Sequence, residues 1–141
     1  MKKTIGFTSG YFDIMHPGHV MMLDECKSYC HYLIVGVHKY KNKTKQPDGR
    51  IKDKPIWSAE ERLLMVNSNK NVDECFLYDG EKELYNYLKI NSDKIEVRIL
   101  GADHKGKPFT GDDLPIDTIF NSRDHDYSTT NTIKKIIEER G

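Results

Sequence analysis

The sequence predicts an α/β fold in which helices flank a parallel, doubly wound sheet. Short β-prone runs alternate with segments of helical periodicity along the whole chain. The run Tyr32–Val37 is almost continuously apolar, which is typical of a strand buried on both faces. A chain of 141 residues has room for one hydrophobic core, so we expect a single domain over residues 1–141.

About five strands are expected, because apolar and β-branched residues concentrate in five short runs. Helical segments separate these runs, and right-handed crossovers through the helices make the strands parallel. The predicted strands are residues 3–8, 32–37, 72–78, 95–100 and 116–120.

Four segments are predicted as helices from apolar spacing and capping signals. Ser58 followed three residues later by Glu61 forms a capping box at the start of the second helix. In the last helix, Ile133, Ile136 and Ile137 are expected to face the core. The predicted helices are residues 17–29, a segment that begins at Ser58, residues 81–89 and residues 128–140.

Composition excludes several classes of protein. The 22 basic residues balance 22 acidic ones, which argues against a general nucleic-acid or membrane-surface binder. No apolar run is long enough to span a membrane, and no signal peptide is expected after Met1. Cys26 and Cys30 are expected in the core rather than on a metal, and the cysteine pattern favours a reducing cytoplasm.

The first predicted strand runs into a polar turn and then a pair of histidines. Ligands of a parallel sheet bind at the carboxyl ends of its strands, and a helix N-terminus favours phosphate. Imidazoles can donate hydrogen bonds to phosphate oxygens, but two surface or capping histidines remain an alternative. The residues concerned are Ser9, Gly10, Tyr11, Phe12, Asp13, His16, Gly18 and His19.

A second candidate anion site lies at the start of the last predicted helix. Ser128, Thr129 and Thr130 bring hydroxyl groups and main-chain N–H groups together there. Arg123, just before them, can supply a fork of donors for phosphate oxygens. The alternative is an ordinary helix cap beside a solvated arginine.

These two motifs resemble the signatures of the cytidylyltransferase-like nucleotidyltransferases. Gly10-Tyr11-Phe12-Asp13 and His16-Pro17-Gly18-His19 resemble the family's G-x-F-D and H-x-G-H. Residues 123–130 are similar to the R-T-E-G-I-S-T-[ST] element of the glycerol-3-phosphate and phosphocholine branch, with His125-Asp126-Tyr127 in place of Glu-Gly-Ile. The resemblance covers essentially the whole chain and implies a Rossmann-like fold.

The resemblance also implies which residues act. The implied catalytic set is His16, His19, Lys43 and Arg123. Arg62 matches a family arginine on the acceptor side. Asp103 lies in a segment that resembles the family's G-x-D, although a plain turn aspartate is an alternative. The implied nucleotide-binding set is Ser9, Gly10, Tyr11, Phe12, Asp13, Gly18, Lys45, Asp103, Arg123, Ser128, Thr129 and Thr130.

A lysine-rich stretch, residues 39–54, follows the second predicted strand. The family uses lysines from this loop to hold phosphates, and Lys43 and Lys45 are the preferred candidates. Lys52 and Lys54 are rivals because the loop is longer than in short relatives. Like charges and few apolar residues predict that the loop is mobile without ligand and ordered by a triphosphate.

The implied reaction is in-line transfer of CMP from CTP to glycerol 3-phosphate or a related phosphorylated alcohol, with release of pyrophosphate. Mg²⁺ is expected to bind through the triphosphate, without a protein metal site. A homodimer is implied by the resemblance alone. Two alternatives stay open. One is adenylyl transfer from ATP, as in the heptose-phosphate, pantetheine-phosphate and flavin adenylyltransferases, and the other is a non-catalytic nucleotide-binding module.

Overall fold

The computed structural model describes residues 3–40, 54–122 and 125–141, which form five strands, four α-helices and one 3₁₀ turn. The strands are β1 (Ile5–Gly10), β2 (Tyr32–His38), β3 (Glu74–Tyr78), β4 (Val97–Leu100) and β5 (Asp117–Phe120). The helices are α1 (Pro17–Ser28), α2 (Ala59–Asn67), α3 (Glu81–Ile90) and α4 (Thr129–Arg140).

All five strands are parallel and lie in the order β3-β2-β1-β4-β5. The chain builds the sheet outward from β1 in one direction and then returns to add β4 and β5 on the other side. This is the doubly wound α/β fold that the sequence predicts. The strand order reverses at β1, so ligands are expected outside the carboxyl end of that strand.

The pairing between β1 and β4 is short. It covers only Gly6 with Val97 and Phe7 with Arg98, whereas β1 pairs with β2 along its whole length. Beyond Phe7 a side chain continues the connection, since Thr8 Oγ1 donates to the carbonyl of Ile99 at 2.8 Å. The main-chain ladder therefore ends below the carboxyl edge on the side of β1 where the strand order reverses.

Two apolar clusters cover the two faces of the sheet. On one face, Leu23 and Cys26 of α1 and Val66 of α2 pack against β2. On the other, Leu84 and Leu88 of α3 pack in a second cluster. Residues of β2 alternate between the faces, as the period of a strand requires: Leu33, Val35 and Val37 lie in the first cluster and Ile34 in the second.

The orientation predicted for the last helix is wrong. Ile136 and Ile137 of α4 are 51% and 64% exposed, and Ile133 is only half-buried. Helical spacing identifies a stripe of isoleucines, but it does not say whether the sheet lies opposite that stripe. None of the described helices is long and apolar enough to cross a membrane.

Candidate active site

The two histidines at the start of α1 cap the helix reciprocally. Nδ1 of His16, the N-cap residue, accepts a hydrogen bond from the main-chain N–H of Gly18 at 3.1 Å. Nδ1 of His19 accepts from the N–H of His16 at 3.2 Å, and the two ring centroids are 3.9 Å apart. Because Nδ1 accepts in both rings, each neutral imidazole carries its proton on Nε2. Nε2–H is therefore the donor group of each neutral ring.

The turn between β1 and α1 is held in a strained shape. Phe12 and Ile14 have positive φ angles of 55° and 44°, which residues other than glycine rarely adopt. The ring of Phe12 is buried in the core and lies 5.6 Å from the ring of His19. Because core packing holds the ring of Phe12, the nucleotide contact predicted for this residue would be made by its main chain.

Asp13 connects three segments of the chain at the end of this turn. Its carboxylate accepts from the main-chain N–H groups of Ile56 and Trp57 at 2.8 and 3.0 Å. Its carbonyl accepts from Thr129 Oγ1 at 2.9 Å. These bonds bring the first motif, the segment before α2 and the start of α4 together. They also engage the Asp13 carboxylate, which the sequence predicts as a nucleotide ligand, with main-chain groups.

The start of α4, where the predicted second motif ends, therefore lies beside the first motif. Ser128 is the N-cap of α4, and its Oγ accepts from the N–H of Asn131 at 2.9 Å. Thr130 is exposed in the first turn. The N-termini of α1 and α4 lie on one side of the sheet, where the positive ends of two helix dipoles favour an anion.

Gly18 lies where these elements meet, and the structure leaves no room for a side chain there. A Cβ atom at Gly18 would lie 2.8 Å from Cε1 of His16 and 2.8 Å from Cε1 of His125. His125 thus belongs to the same cluster, which the sequence does not indicate. In the motif, it is visible only as a departure from the family's glutamate.

Arg62 is 2% exposed and has its donors directed at main-chain carbonyls. Nε donates to the carbonyl of Trp57 at 3.1 Å, and Nη1 donates to those of Tyr11 and His38 at 3.0 and 2.6 Å. Burial lowers the pKa of this guanidinium from its ordinary value. Arg62 therefore fixes the ends of β1 and β2 relative to α2, and its acceptor-binding role remains a prediction.

A buried histidine, His38, lies at the end of β2. The ring of His38 stacks on Tyr11 with centroids 4.6 Å apart, and its Nδ1 contacts the carbonyl of Lys39. Its Nε2 lies 3.8 Å from the carboxylate of Glu81. Burial lowers the pKa of His38, which favours the neutral ring.

The same polar network continues under the carboxyl ends of β3 and β4. Thr110 Oγ1 donates to Glu81 at 2.8 Å, and Arg98 donates to the carbonyl of Thr110. Burial lowers the pKa of Arg98 to about 10 and raises that of Tyr78 above its ordinary value. Sequence reasoning missed Glu81, Tyr78 and Arg98, since each lies in an element whose pattern predicts only structure.

A cavity of about 490 Å³ opens between the end of β2 and the start of α2. Lys39 and Lys54 line it together with Tyr40 and Trp57, and Glu60 and Glu61 line it as well, so side chains of both charges meet aromatic surface there. Lys54, one of the rival phosphate ligands, therefore faces this cavity. The predicted ligands Lys43, Lys45, Lys52 and Arg123, and most of the 39–54 loop, lie outside the described residues.

Asp103 lies in the 3₁₀ turn Ala102–His104 directly after β4. Its side chain is exposed overall, and one carboxylate oxygen folds back to within 2.8 Å of the position that a Cβ of Gly101 would take.

Among residues 3–40, 54–122 and 125–141, no three His, Cys, Asp or Glu side chains are grouped as metal ligands.

The profile of the cytidylyltransferase-like family matches residues 7–135. The chain belongs to this family. It is 35% identical over 136 residues to the bifunctional protein HldE of Aliarcobacter butzleri, covering 96% of this chain and 27% of that protein. It is 41% identical over 97 residues to the FAD synthase of Ferroglobus placidus, covering 69% of this chain and 59% of that enzyme.

This member of the family thus spans only about a quarter of the length of the HldE proteins that it matches. Among solved structures, a lipopolysaccharide core biosynthesis protein from Thermoplasma volcanium superposes with a TM-score of 0.67 at 24% identity. The match covers 89% of this chain and all of that one. The superposition supports the Rossmann-like fold.

Proposed function

We propose that this domain transfers an adenylyl group from ATP to the phosphate of a small acceptor and releases pyrophosphate. The observation that carries the proposal is the reciprocal cap of His16 and His19, which commits both rings to donate from Nε2. These donors lie at a helix N-terminus where the strand order of the sheet reverses. Such a position suits the negative charge that grows on a phosphate as it is attacked.

In the proposed reaction, an oxygen of the acceptor phosphate attacks the α-phosphorus of ATP. A new P–O bond forms, while the bond from the α-phosphorus to the bridging oxygen of the β-phosphate breaks. Pyrophosphate leaves with that electron pair. His16 and His19 stabilise the charge on the α-phosphate, and most of the rate comes from positioning and electrostatics. Mg²⁺ bound through the triphosphate would neutralise part of its charge.

The relatives favour ATP over the CTP that the sequence resemblance implies. The FAD synthase relative is named for a product that contains an adenylyl group. The CTP expectation comes from the element formed by Arg123 and residues 128–130, and two of its hydroxyl groups have structural partners here. Ser128 caps α4, and Thr129 donates to the carbonyl of Asp13. Neither contact selects a base, so the motif that favours CTP is also compatible with ATP.

The acceptor site is proposed in the cavity between β2 and α2. Lys39 and Lys54 line this cavity beside Glu60 and Glu61. The two lysines would bind the phosphate, while Trp57 and Tyr40 would pack against the rest of the acceptor. These features suit a small phosphorylated molecule such as a sugar or polyol phosphate. The homodimer that the family resemblance implies remains a prediction.

Pyrophosphate release tests the proposal directly. Wild-type protein would be supplied with each of ATP, CTP, GTP and UTP and with a panel of phosphorylated alcohols, sugars and flavin mononucleotide. We expect ATP to support release that depends on one acceptor class, and the His16→Ala and His19→Ala variants to lose about 100-fold or more in turnover. Release with CTP alone would reinstate cytidylyl transfer. No release with any pair would indicate a non-catalytic module.

A further inference from the structure

A third histidine, His125, lies across Gly18 from the histidine pair. A Cβ atom added at Gly18 would lie 2.8 Å from Cε1 of His125 and 2.8 Å from Cε1 of His16. Both rings therefore approach the same point at the start of α1. Cε1 is bonded to both ring nitrogens. In His16 the nitrogen 3.0 Å from that point is Nδ1, and Nε2 of each ring lies one bond beyond Cε1.

The hydrogen bond of His125 repeats the pattern of the other two histidines. Its Nδ1 accepts from the main-chain N–H of Tyr127 at 3.1 Å. The neutral ring therefore carries its proton on Nε2, as in His16 and His19. Three imidazoles from the starts of two different helices are each held by the main chain through Nδ1. In the neutral form of each ring, Nε2 carries the proton.

We propose that His125 is a third phosphate-binding histidine, which donates from Nε2 to the phosphate group that His16 contacts. The inference deepens the proposed function and depends on it. His125 replaces a glutamate of the related motif, and a carboxylate at this point would repel a phosphate. An N–H donor there instead adds a hydrogen bond to a charged group.

A purely structural role for His125 makes a different prediction. In that case the ring would matter only because its Nδ1 fixes the turn before α4 through Tyr127. Asparagine places an acceptor near the position of Nδ1, whereas glutamine places an N–H donor near that of Nε2. The His125→Asn and His125→Gln variants therefore test the roles of Nδ1 and Nε2 separately.

The test compares kcat and KM for pyrophosphate release in these variants, using the triphosphate and acceptor that wild type accepts. We expect kcat/KM of His125→Asn to fall about 10- to 100-fold, and that of His125→Gln to stay within about 3-fold of wild type. His31 supplies the matched control. Its Nδ1 accepts from the N–H of Thr4 at 3.1 Å, but it lies at the amino-terminal edge of the sheet. His31→Asn should keep full activity.

Thermal melting of each variant accompanies the kinetics, and melting temperatures near that of wild type are expected because His125 is only half-buried. Wild-type activity in His125→Asn would overturn the inference. So would equal losses in both variants, since glutamine would then fail to replace the donor. An inactive wild type would overturn the proposed function itself, which this outcome distinguishes from failure of the histidine assignment.

Discussion

Replacing Gly18 with alanine should remove activity while leaving the fold intact. The added Cβ would lie 2.8 Å from Cε1 of both His16 and His125 and 3.0 Å from Nδ1 of His16. The first two distances are about 0.6 Å below the 3.4 Å at which ordinary contact begins. Both rings must therefore shift. Misplacing a reacting group by about 1 Å can cost about 100-fold in rate, so we expect kcat/KM to fall by about that factor.

The same substitution should change stability little. Alanine in a helix gains up to about 1 kcal/mol over glycine, and losing the bond from the Gly18 N–H to His16 costs about 1 kcal/mol. The free energy of unfolding in urea should then lie within about 1 kcal/mol of wild type. Gly106→Ala provides the reverse control, because φ there is +79° and nothing lies within 4 Å. That variant should lose about 1 kcal/mol and keep its turnover. Wild-type turnover in Gly18→Ala would refute the reasoning.

Three further predictions concern the groups that hold the site together. Asp13→Asn leaves one oxygen to accept from the N–H groups of Ile56 and Trp57, so the free energy of unfolding in urea should fall by about 1 to 3 kcal/mol. An unchanged midpoint would contradict the role of these bonds. Arg62→Lys replaces a guanidinium that donates to three carbonyls with a single ammonium, so the free energy of unfolding should fall by about 2 to 4 kcal/mol. A smaller loss than for Asp13→Asn would show that the guanidinium does not join β1 and β2. Because the pKa of His38 lies below its ordinary 6.5, the unfolded chain binds more protons there, so its contribution is lost as pH falls below about 6.5. Melting temperatures from pH 8 to 5 should fall less for His38→Asn than for wild type, and parallel curves would show that another group titrates.

Local patterns in the sequence were sufficient to predict most of the architecture. Each strand run and helical segment depends on neighbours within a few residues, and so do helix caps. The box predicted at Ser58 is present, since Ser58 and Glu61 exchange both hydrogen bonds. The histidines of α1 were likewise identifiable from their spacing and from the turn that precedes them. The family assignment followed from these local motifs and is confirmed by the family profile.

Periodicity was a poor guide to what a helix face contacts. The isoleucines of α4 follow helical spacing, yet Ile136 and Ile137 are exposed because the sheet does not lie opposite them. The preference for CTP had a similar weakness. It depended on the resemblance of Arg123 and residues 128–130 to one branch of the family, and the tertiary structure gives Ser128 and Thr129 partners within the chain. Base selection depends on contacts that the motif does not contain.

Only the tertiary structure could place His125 beside Gly18, link Asp13 to Thr129, or bury Arg62 between the ends of β1 and β2. The sequence determined which segments become strands and helices, because hydrogen bonding and side-chain alternation within a segment are local. It did not determine these contacts, which join residues far apart in the chain. They exist because β1 occupies the centre of the sheet, where the segments before α2 and α4 return to its carboxyl end. Each side chain's partner then depends on which strand ends lie side by side.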